Sequence, residues 1–294
     1  MADVVVVGSA NVDLVLPVER IPRPGETVLA RGLSRGPGGK GANQAAAAAR
    51  AGAATAFAGC LGDDESGAML RAELTAAGVG LDLVRTTETP TGTAIICVDD
   101  SGENAITVAP SANGELVLDA AALEAVRAAA VVLLQLEIPR ATVREAARAG
   151  RYVVLNAAPA APLDDDLLSD VDLLVVNEHE AAVVSGVDAA AGVAASGEAL
   201  LRRVPAVVVT LGGDGALVLR RGAEPVRLPG HAVPVVDTTG AGDTFCGVLA
   251  ATLSRGAELP DAVRRANAAA ALSVGAPGAM TSVPSAAAID ALLA

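Results

Sequence analysis

Aromatic residues are almost absent from this chain of 294 residues, which has no tryptophan, one tyrosine and two phenylalanines. Phe57, Tyr152 and Phe245 are the whole set. Because single-stranded nucleic acids are bound by stacking bases on aromatic rings, such a binding platform is excluded. Any sugar ligand would have to be held mainly through hydrogen bonds to its hydroxyl groups.

Cysteines are also few, and long apolar runs are missing. Cys60, Cys97 and Cys246 are far apart, with no Cys-x-x-Cys pair or histidine cluster. This pattern predicts neither a disulfide framework nor a zinc site, and it favours a reducing compartment. The apolar run at 4–7 lacks a basic flank, and no run approaches the ~20 residues of a membrane span. We therefore expect a soluble, cytoplasmic protein with no membrane partner.

Basic residues are outnumbered, with 21 Lys and Arg against 34 Asp and Glu, which gives a formal net charge of −13. Nucleic-acid binding requires a basic surface, so a nucleic-acid partner is excluded. A nucleotide ligand stays possible, because one pocket needs only local donors. The hydrophobic content of 52% and charged content of 19% predict a globular fold.

Short β-branched runs alternate with alanine-rich helical stretches along most of the chain. This alternation predicts βαβ units around a parallel sheet that is buried on both faces. Gly52, Gly78 and Gly150 follow helical stretches, where left-handed C-terminal caps are expected. The predicted strands are 4–7, 55–59, 131–136, 152–155, 173–176 and 206–211, and the predicted helices are 43–51, 67–77 and 142–149.

Two segments interrupt this alternation. Residues 14–35 contain three prolines, and residues 92–108 have the pattern of a hairpin around 99–102. A small isolated sheet is only marginally stable in water, so these strands should cover the main domain or pair with a second copy. We expect one domain over 1–294, with lid segments at about 14–35 and 91–110 that could form a homodimer surface.

A glycine-rich stretch at 36–41 (GPGGKG) formally fits the dinucleotide-binding pattern, but no strand immediately precedes it. A Walker A loop is excluded, because Ser34 replaces its first glycine and Gly41 stands where a Ser or Thr must bind Mg²⁺. The interpretation that remains is a flexible loop entering a helix at Asn43. Its backbone N–H groups, Lys40 and Asn43 would then donate to a ligand.

A second glycine turn, at 237–243 (DTTGAGD), follows the apolar run 233–236 and precedes an apolar helix. A strand, a glycine turn and a helix N-terminus together predict an anion site formed by the N–H groups of 240–243. An acidic side chain beside such a site would repel a bound phosphate, so its presence calls for a functional or structural reason. Asp243 could accept a proton from an attacking hydroxyl, or it could simply cap the helix.

Four motifs occur in an order that resembles one known family over essentially the full chain: GSANVD at 8–13, GGKGANQA at 38–45, NEHE at 177–180 and DTTGAGD at 237–243. The family is that of the ribokinase-like sugar kinases, and the second motif is most similar to its ribokinase branch. The resemblance implies a three-layer α/β/α domain with a mostly parallel central sheet and a small β-sheet lid.

The resemblance also implies the catalytic and sugar-binding residues. Asp243 would be the base that accepts the proton of the ribose 5-hydroxyl as it attacks ATP, with Gly240, Ala241 and Gly242 as the anion hole. On the residues alone, the strand-end polar groups also fit turn or surface roles. The implied sugar ligands are Asn11, Asp13, Gly38, Gly39, Lys40, Asn43 and Glu137, together with Asp243.

The nucleotide and metal ligands are likewise implied by the family. The ATP candidates are Asn177, Thr210, Gly212, Gly215, Gly242 and Asn267, and Asn177 with Glu180 would organise Mg²⁺ through water. An activating K⁺ would be bound by Asp237, Thr239, Ser273, Ala276, Gly278 and Ser282, although 275–277 lack the basic residues often found there in the family. An ordinary β-turn at 210–215 and a loop without an ion at 278–284 are the structural alternatives.

The activity implied is transfer of the ATP γ-phosphoryl group to D-ribose. The alternatives are a kinase of the same fold for deoxyribose, another sugar or a nucleoside, and a non-catalytic sugar-binding protein. An oxidoreductase is supported only by the glycine pattern at 36–41.

Overall fold

A computed structural model describes residues 2–294. Within them an eight-stranded sheet has the order β14-β13-β12-β11-β10-β9-β1-β4. All neighbours from β4 to β12 are parallel, and β13 and β14 extend the sheet antiparallel. Its strands are β1 Val4–Val7, β4 Thr55–Ala58, β9 Val131–Leu134, β10 Val153–Asn156, β11 Leu173–Asn177, β12 Ala206–Thr210, β13 Ala216–Arg220 and β14 Val226–Leu228.

Helices cover both faces of this sheet, as the continuous apolar strands predict. In β1, Val4 and Val6 belong to one buried core while Val5 and Val7 belong to the other. The first core is closed by α1 Lys40–Arg50, α2 Glu65–Ala76, α8 Ala241–Leu253, α9 Leu259–Ser273 and α10 Ala286–Leu293. The second is closed by α3 Ala120–Ala128, α4 Arg140–Ala149, α5 Asp165–Leu168, α6 Glu178–Ser185 and α7 Val193–Leu201. The three-layer α/β/α prediction is confirmed.

A separate sheet of four strands within residues 2–294 has the order β3-β2-β7-β8. Ile95, Ile106 and Val108 are exposed on it. The expected hairpin is present, with its turn at 99–102. The strands are β2 Asn11–Pro17, β3 Ser34–Gly38, β7 Gly92–Val98 and β8 Asn104–Ala109, and a two-stranded sheet pairs β5 Cys60–Gly62 with β6 Arg85–Thr87.

Three local predictions are wrong. The glycines at 36–38 belong to strand β3, which pairs with β2, and α1 begins at Lys40 rather than at Asn43. The apolar run at 233–236 is not a strand, because β14 ends the sheet before it and no neighbour pairs with the run. Gly150 has φ −70° rather than a left-handed conformation. A Cβ there would lie 2.7 Å from Val153, so close packing explains this glycine.

Candidate active site

Polar side chains gather at the carboxyl-terminal edge of the main sheet, where ligands bind in open α/β folds. Ser9 follows β1 and Glu137 follows β9, while Asn156, Asn177 and Thr210 end the next three strands. Helices α1 and α8 begin at the same edge. The topology therefore brings together residues that are far apart in sequence.

Asp243 lies in the first turn of α8 and is 8% exposed. Its Oδ2 accepts a hydrogen bond from Asn43 Nδ2 at 3.0 Å, and its Oδ1 accepts one from Gln44 Nε2 at 2.9 Å. Both donors belong to α1, so the carboxylate faces the neighbouring helix instead of capping its own. Hydrogen bonds to an ionised acceptor are stronger than neutral ones, and these two define the plane of the carboxylate.

The glycine turn before Asp243 supplies the N-terminus of α8. Gly240 is the residue before the helix and has φ 74°, and a Cβ there would lie 2.6 Å from Ala279 Cβ. The left-handed backbone and the close approach both require glycine. The turn therefore packs directly on the loop at 278–284, and the N–H groups at the start of α8 have the polarity of an anion site.

The predicted sugar ligands lie next to this carboxylate. Asn11 begins β2, Gly38 ends the neighbouring β3, and Gly39 precedes α1. Burial, followed by the negative charges of Glu137 and Asp243, raises the pKa of Asp13 from 3.8 to about 6, while Lys40 opposes the shift. The charges of Glu137 and Asp243 thus repel the charge of Asp13, and the three side chains place several hydrogen-bond acceptors close together.

Glu137 also holds the start of α1. Its Oε2 accepts from Ser9 Oγ at 2.5 Å and from the Lys40 backbone N at 3.1 Å. Asn11 is likewise both a predicted sugar ligand and part of the protein's own hydrogen-bond network, since its Oδ1 accepts from Asn113 Nδ2 at 2.8 Å. These contacts fix the predicted ligands before any sugar is bound.

Lys40 lies between the sugar residues and the nucleotide side. With Asp243, Asn177, Glu180 and Gly242 it lines a cavity of about 140 Å³. The charge of Asp243 raises the pKa of Lys40, burial opposes this shift, and Glu137 adds to it. The ammonium group is therefore kept charged at the place where the two predicted subsites meet.

Asn177 and Glu180 form a capping box at the start of α6. Asn177 Oδ1 accepts from Glu180 N, and Glu180 Oε2 accepts from Asn177 N, both at 2.8 Å. Burial raises the pKa of Glu180, and the bond from Asn177 opposes the shift. The box uses one Glu180 oxygen, and the second suits a hard cation such as Mg²⁺. Residues 2–294 contain no cluster of three or more His, Cys, Asp or Glu placed to bind a metal, so phosphates and water would have to complete the coordination.

A larger cavity of about 460 Å³ adjoins the glycine turn on the other side. Five of the six predicted nucleotide-binding residues line this cavity, and Asn177 does not. The remaining walls are mainly aliphatic. The predicted lining residues are Thr210, Gly212, Gly215, Gly242 and Asn267, and the walls include Val233, Val235, Phe245, Ala270, Ala271 and Val274.

Asp237 joins the predicted cation-binding segments. Its Oδ1 accepts from Thr239 N at 2.9 Å and its Oδ2 from Gly278 N at 2.8 Å. Burial alone would raise the pKa of Asp237, but hydrogen bonding from the Thr239 side chain and from the backbone N–H groups of Gly278 and Thr239 outweighs burial and lowers the pKa. Ser273 and Ser282 are buried, and their hydroxyls donate to the carbonyls of Ala270 and Ala279. Carboxylate, carbonyl and hydroxyl oxygens are the ligand types that hard cations prefer.

Comparison with known proteins identifies the family. Residues 1–286 match the family described as pfkB family carbohydrate kinase. The chain belongs to this kinase family. The ribokinase of Haemophilus influenzae is 38% identical over 290 residues, covering 95% of this chain and 94% of the relative. The ribokinase of Bacillus subtilis is 38% identical over 300 residues and covers both chains completely.

Solved kinase structures have the same fold. The ribokinase of Arabidopsis thaliana complexed with ribose and ATP superimposes with a TM-score of 0.92 at 35% identity, over 99% of this chain and 98% of that one. The ribokinase of Thermotoga maritima also has a TM-score of 0.92, at 34% identity, over 100% and 99% of the two chains. The family and the fold implied by the sequence motifs are thus confirmed.

Four further polar residues of the candidate site have no functional signal in the sequence by themselves. Gln44 contacts Asp243, Gln135 contacts Gln44, Asn156 contacts Gln44, and Asn113 contacts Asn11. Gln44 belongs to the motif at 38–45, which is the signal that could have found it. Gln135 and Asn156 are single amides at the ends of apolar strands, and Asn113 lies in a short 3-10 helix, so none of the three has a comparable sequence pattern.

Proposed function

We propose that the protein transfers the γ-phosphoryl group of ATP to the 5-hydroxyl of D-ribose, giving D-ribose 5-phosphate and ADP. The observation that carries this proposal is the position of Asp243. Its carboxylate lies at the N-terminus of α8 and lines the small cavity between the predicted sugar residues and the nucleotide cavity. The similarity to ribokinases, one of them complexed with ribose and ATP, favours the same substrates here.

The sugar would be bound by hydroxyl groups, in keeping with the scarcity of aromatic residues. Asn11, Asp13 and Glu137 offer oxygen acceptors, while Lys40 and the backbone at 38–39 offer donors. Asn43 Oδ1 is buried and has no hydrogen-bond partner within residues 2–294. A ligand hydroxyl would satisfy this acceptor, which supports Asn43 as a sugar residue.

Asp243 would accept the proton of the attacking hydroxyl, because its two amide donors still leave lone pairs on the carboxylate. The N–H groups at Gly240, Ala241 and Gly242 would stabilise the charge that develops on the transferred group. Lys40, beside Asp243, would add a positive charge at the same place.

The nucleotide would occupy the larger cavity, with the phosphates at the glycine turn and the base near Asn267. Mg²⁺, when bound, neutralises phosphate charge, and Asn177 and Glu180 would hold it through water. K⁺ would be bound by Asp237, Ser282 and the carbonyls of Thr239, Ser273, Ala276 and Gly278. Because Gly240 packs on Ala279, the oxygen ligands in this loop would fix the glycine turn.

The four-stranded sheet would act as a lid that excludes water from the reaction. Its exposed apolar residues Ile95, Ile106 and Val108, together with its edge strands, would pair with a second copy to form a homodimer. None of the helices in residues 2–294 combines the length and apolar character needed to cross a membrane. The cytoplasm remains the proposed location, in keeping with three cysteines that are free thiols.

The test is release of ADP by the purified protein with Mg-ATP in potassium buffer, with and without D-ribose. Ribose-dependent turnover at about 1–100 s⁻¹ is expected, with phosphorus NMR placing the phosphate on carbon 5. Turnover with 2-deoxyribose, another sugar or a nucleoside in place of ribose would reassign the substrate. Absence of turnover with the whole panel, in a protein that still binds sugar, would refute the kinase.

A further inference from the structure

Gln44 is fully buried, yet its amide makes direct contact with the carboxylate of Asp243. Asn156 lines the small cavity, whereas Gln44 does not. Gln44 is completely enclosed by protein, so it can affect the reaction only through its neighbours, and of these Asp243 is the proposed base.

We propose that Gln44 is a positioning residue that sets the rotation of the Asp243 carboxylate for proton acceptance. The proposal rests on the proposed phosphoryl transfer, and it assigns a role that the sugar-binding residues do not have. Asn43, the other donor to Asp243, is also expected to contact the sugar, so its amide is shared between two tasks. Gln44 contacts none of the predicted sugar ligands other than Asp243 through its amide.

The direction of the Gln44 amide is fixed by a chain of side-chain amides. Asn156 Nδ2 donates to the Val175 carbonyl at 3.3 Å, and this oxygen can only accept. Asn156 Oδ1 must then face Gln44, and it accepts from Gln44 Nε2 at 3.1 Å. The second hydrogen of the same Nε2 points to Asp243 Oδ1 at 2.9 Å. Both ends of the chain are acceptors, so a flipped Gln44 would put oxygen against oxygen.

The other end of the Gln44 amide has one partner. Gln44 Oε1 accepts from Gln135 Nε2 at 2.7 Å, whereas Gln135 Oε1 is buried without a hydrogen-bond partner within residues 2–294. The direction of the Gln44 amide is therefore fixed by the acceptors of Asn156 and Asp243. Gln135 is itself completely buried, directly after β9. All polar atoms of the Gln44 amide are therefore bonded to side chains, one from strand β10 and one directly after strand β9.

Close packing of α1 on α8 makes the contact with Asp243 possible. Gly247, one turn after Asp243, lies so near α1 that a Cβ there would be 2.6 Å from Ala47 Cβ and would also collide with the Gln44 carbonyl. A larger residue at this crossing would separate the helices. The amide donors would then lose hydrogen-bond distance to the carboxylate.

The first test is Gln44→Met, which keeps the length of the side chain and removes both donor hydrogens. Without its donor, the carboxylate of Asp243 should turn, and kcat should fall about 10- to 100-fold, because small misplacements of a reacting group are that costly. The KM values for ribose and Mg-ATP should stay within about twofold of wild type. Comparison of the wild-type and Gln44→Met crystal structures should show that the Asp243 carboxylate is rotated in the variant.

Two matched controls separate positioning from general damage. Asn113→Leu removes another buried amide, one that holds Asn11, and should raise the KM for ribose more than it lowers kcat. Val154→Ala removes buried volume from the same strand as Asn156, and should lower the melting temperature while kcat of the folded protein is retained.

Gln44→Glu supplies a readout that a purely structural role would not move. When ionised, the new side chain turns an acceptor toward Asp243, and when protonated it can donate one hydrogen. The ratio of the variant kcat to the wild-type kcat should therefore rise as the pH falls from 8 to 6.

A folded Gln44→Met protein with unchanged kcat and an unrotated Asp243 carboxylate would overturn the proposal. The proposal would also be overturned if Val154→Ala, at the same melting temperature as Gln44→Met, showed an equal fall in kcat. A wild-type protein inactive on ribose would refute the proposed substrate instead. Rotation of the carboxylate in the variant crystal would still support the positioning role in that case.

Discussion

Replacing Asp13 by asparagine is expected to make the sugar-free protein more stable while weakening sugar binding. The carboxylate of Asp13 is disfavoured by burial and by the neighbouring charges of Glu137 and Asp243, which together raise its pKa to about 6. An amide has the same shape and carries no charge. Asp13→Asn therefore removes a charge that is disfavoured first by burial and then by the repulsion of its neighbours.

The size and sign of the effect follow from the shift of the pKa. A rise from 3.8 to about 6 corresponds to about 3 kcal/mol, at 1.36 kcal/mol per pKa unit. The folded state binds the proton more tightly than the unfolded state, so the stability contributed by protonated Asp13 is complete below about pH 4. It is lost as the pH rises through about 6. The variant should be more stable than wild type by about 3 kcal/mol at pH 8 and by about half of this at pH 5.

The assay is urea unfolding of both proteins at pH 5 and pH 8 without sugar, with Asp82→Asn as a control at an exposed aspartate. The KM for ribose should rise about 10- to 100-fold in Asp13→Asn, since a hydrogen bond to a charged group is worth about 1.5–3 kcal/mol. A stability difference that is equal at the two pH values, or that favours wild type at pH 8, would refute the electrostatic reasoning.

Three further changes test other parts of the site. Asp243→Asn should lower kcat by about 10²- to 10⁴-fold with ribose affinity retained, and full activity by steady-state assay would exclude a base. Arg50 donates to the carbonyl oxygens of Met280, Thr281 and Val283 at 3.0–3.4 Å and so holds the loop that contains Ser282. Arg50→Met should therefore raise the K⁺ concentration for half-maximal activity, whereas Arg255→Met, which removes a bond to the Ala51 carbonyl, should not. Ile106→Lys should give monomers in light scattering, with Val117→Lys as the exposed control. A dimer that survives the first substitution would exclude the lid face.

The layered fold could be predicted because its signals are local. Runs such as Val4–Val7 are buried on both sides, and the alanine-rich stretches between runs form helices over them. The errors concern pairing, which is not local. The glycines at 36–38 form an edge strand only because β2 lies beside them, and the valines at 233–236 remain irregular because the sheet has already ended.

The candidate site likewise contains residues with a local sequence signal and residues without one. Residues inside contiguous motifs, such as Asn43 and Asp243, could be named from the sequence and lie together in the structure. Gln135 and Asn156 could not, because each is a single amide at the end of an apolar strand, and the two meet Gln44 only because these parallel strands end side by side. Sequence spacing identifies side chains that lie on one helix or strand. The hydrogen-bond network that orients Asp243 instead joins four elements, namely α1, α8, β10 and β11.

The abundance of alanine has a second role beyond helix formation. Ala45–Ala48 are completely buried on α1, and Gly247 faces them from α8. Small side chains at this crossing allow the backbones to approach closely, and larger ones would move the helices apart. The distances of 2.9 and 3.0 Å from the α1 amides to Asp243 depend on that approach. The same residues that favour the helix thus set the geometry of the carboxylate, which links the composition of the chain to its chemistry.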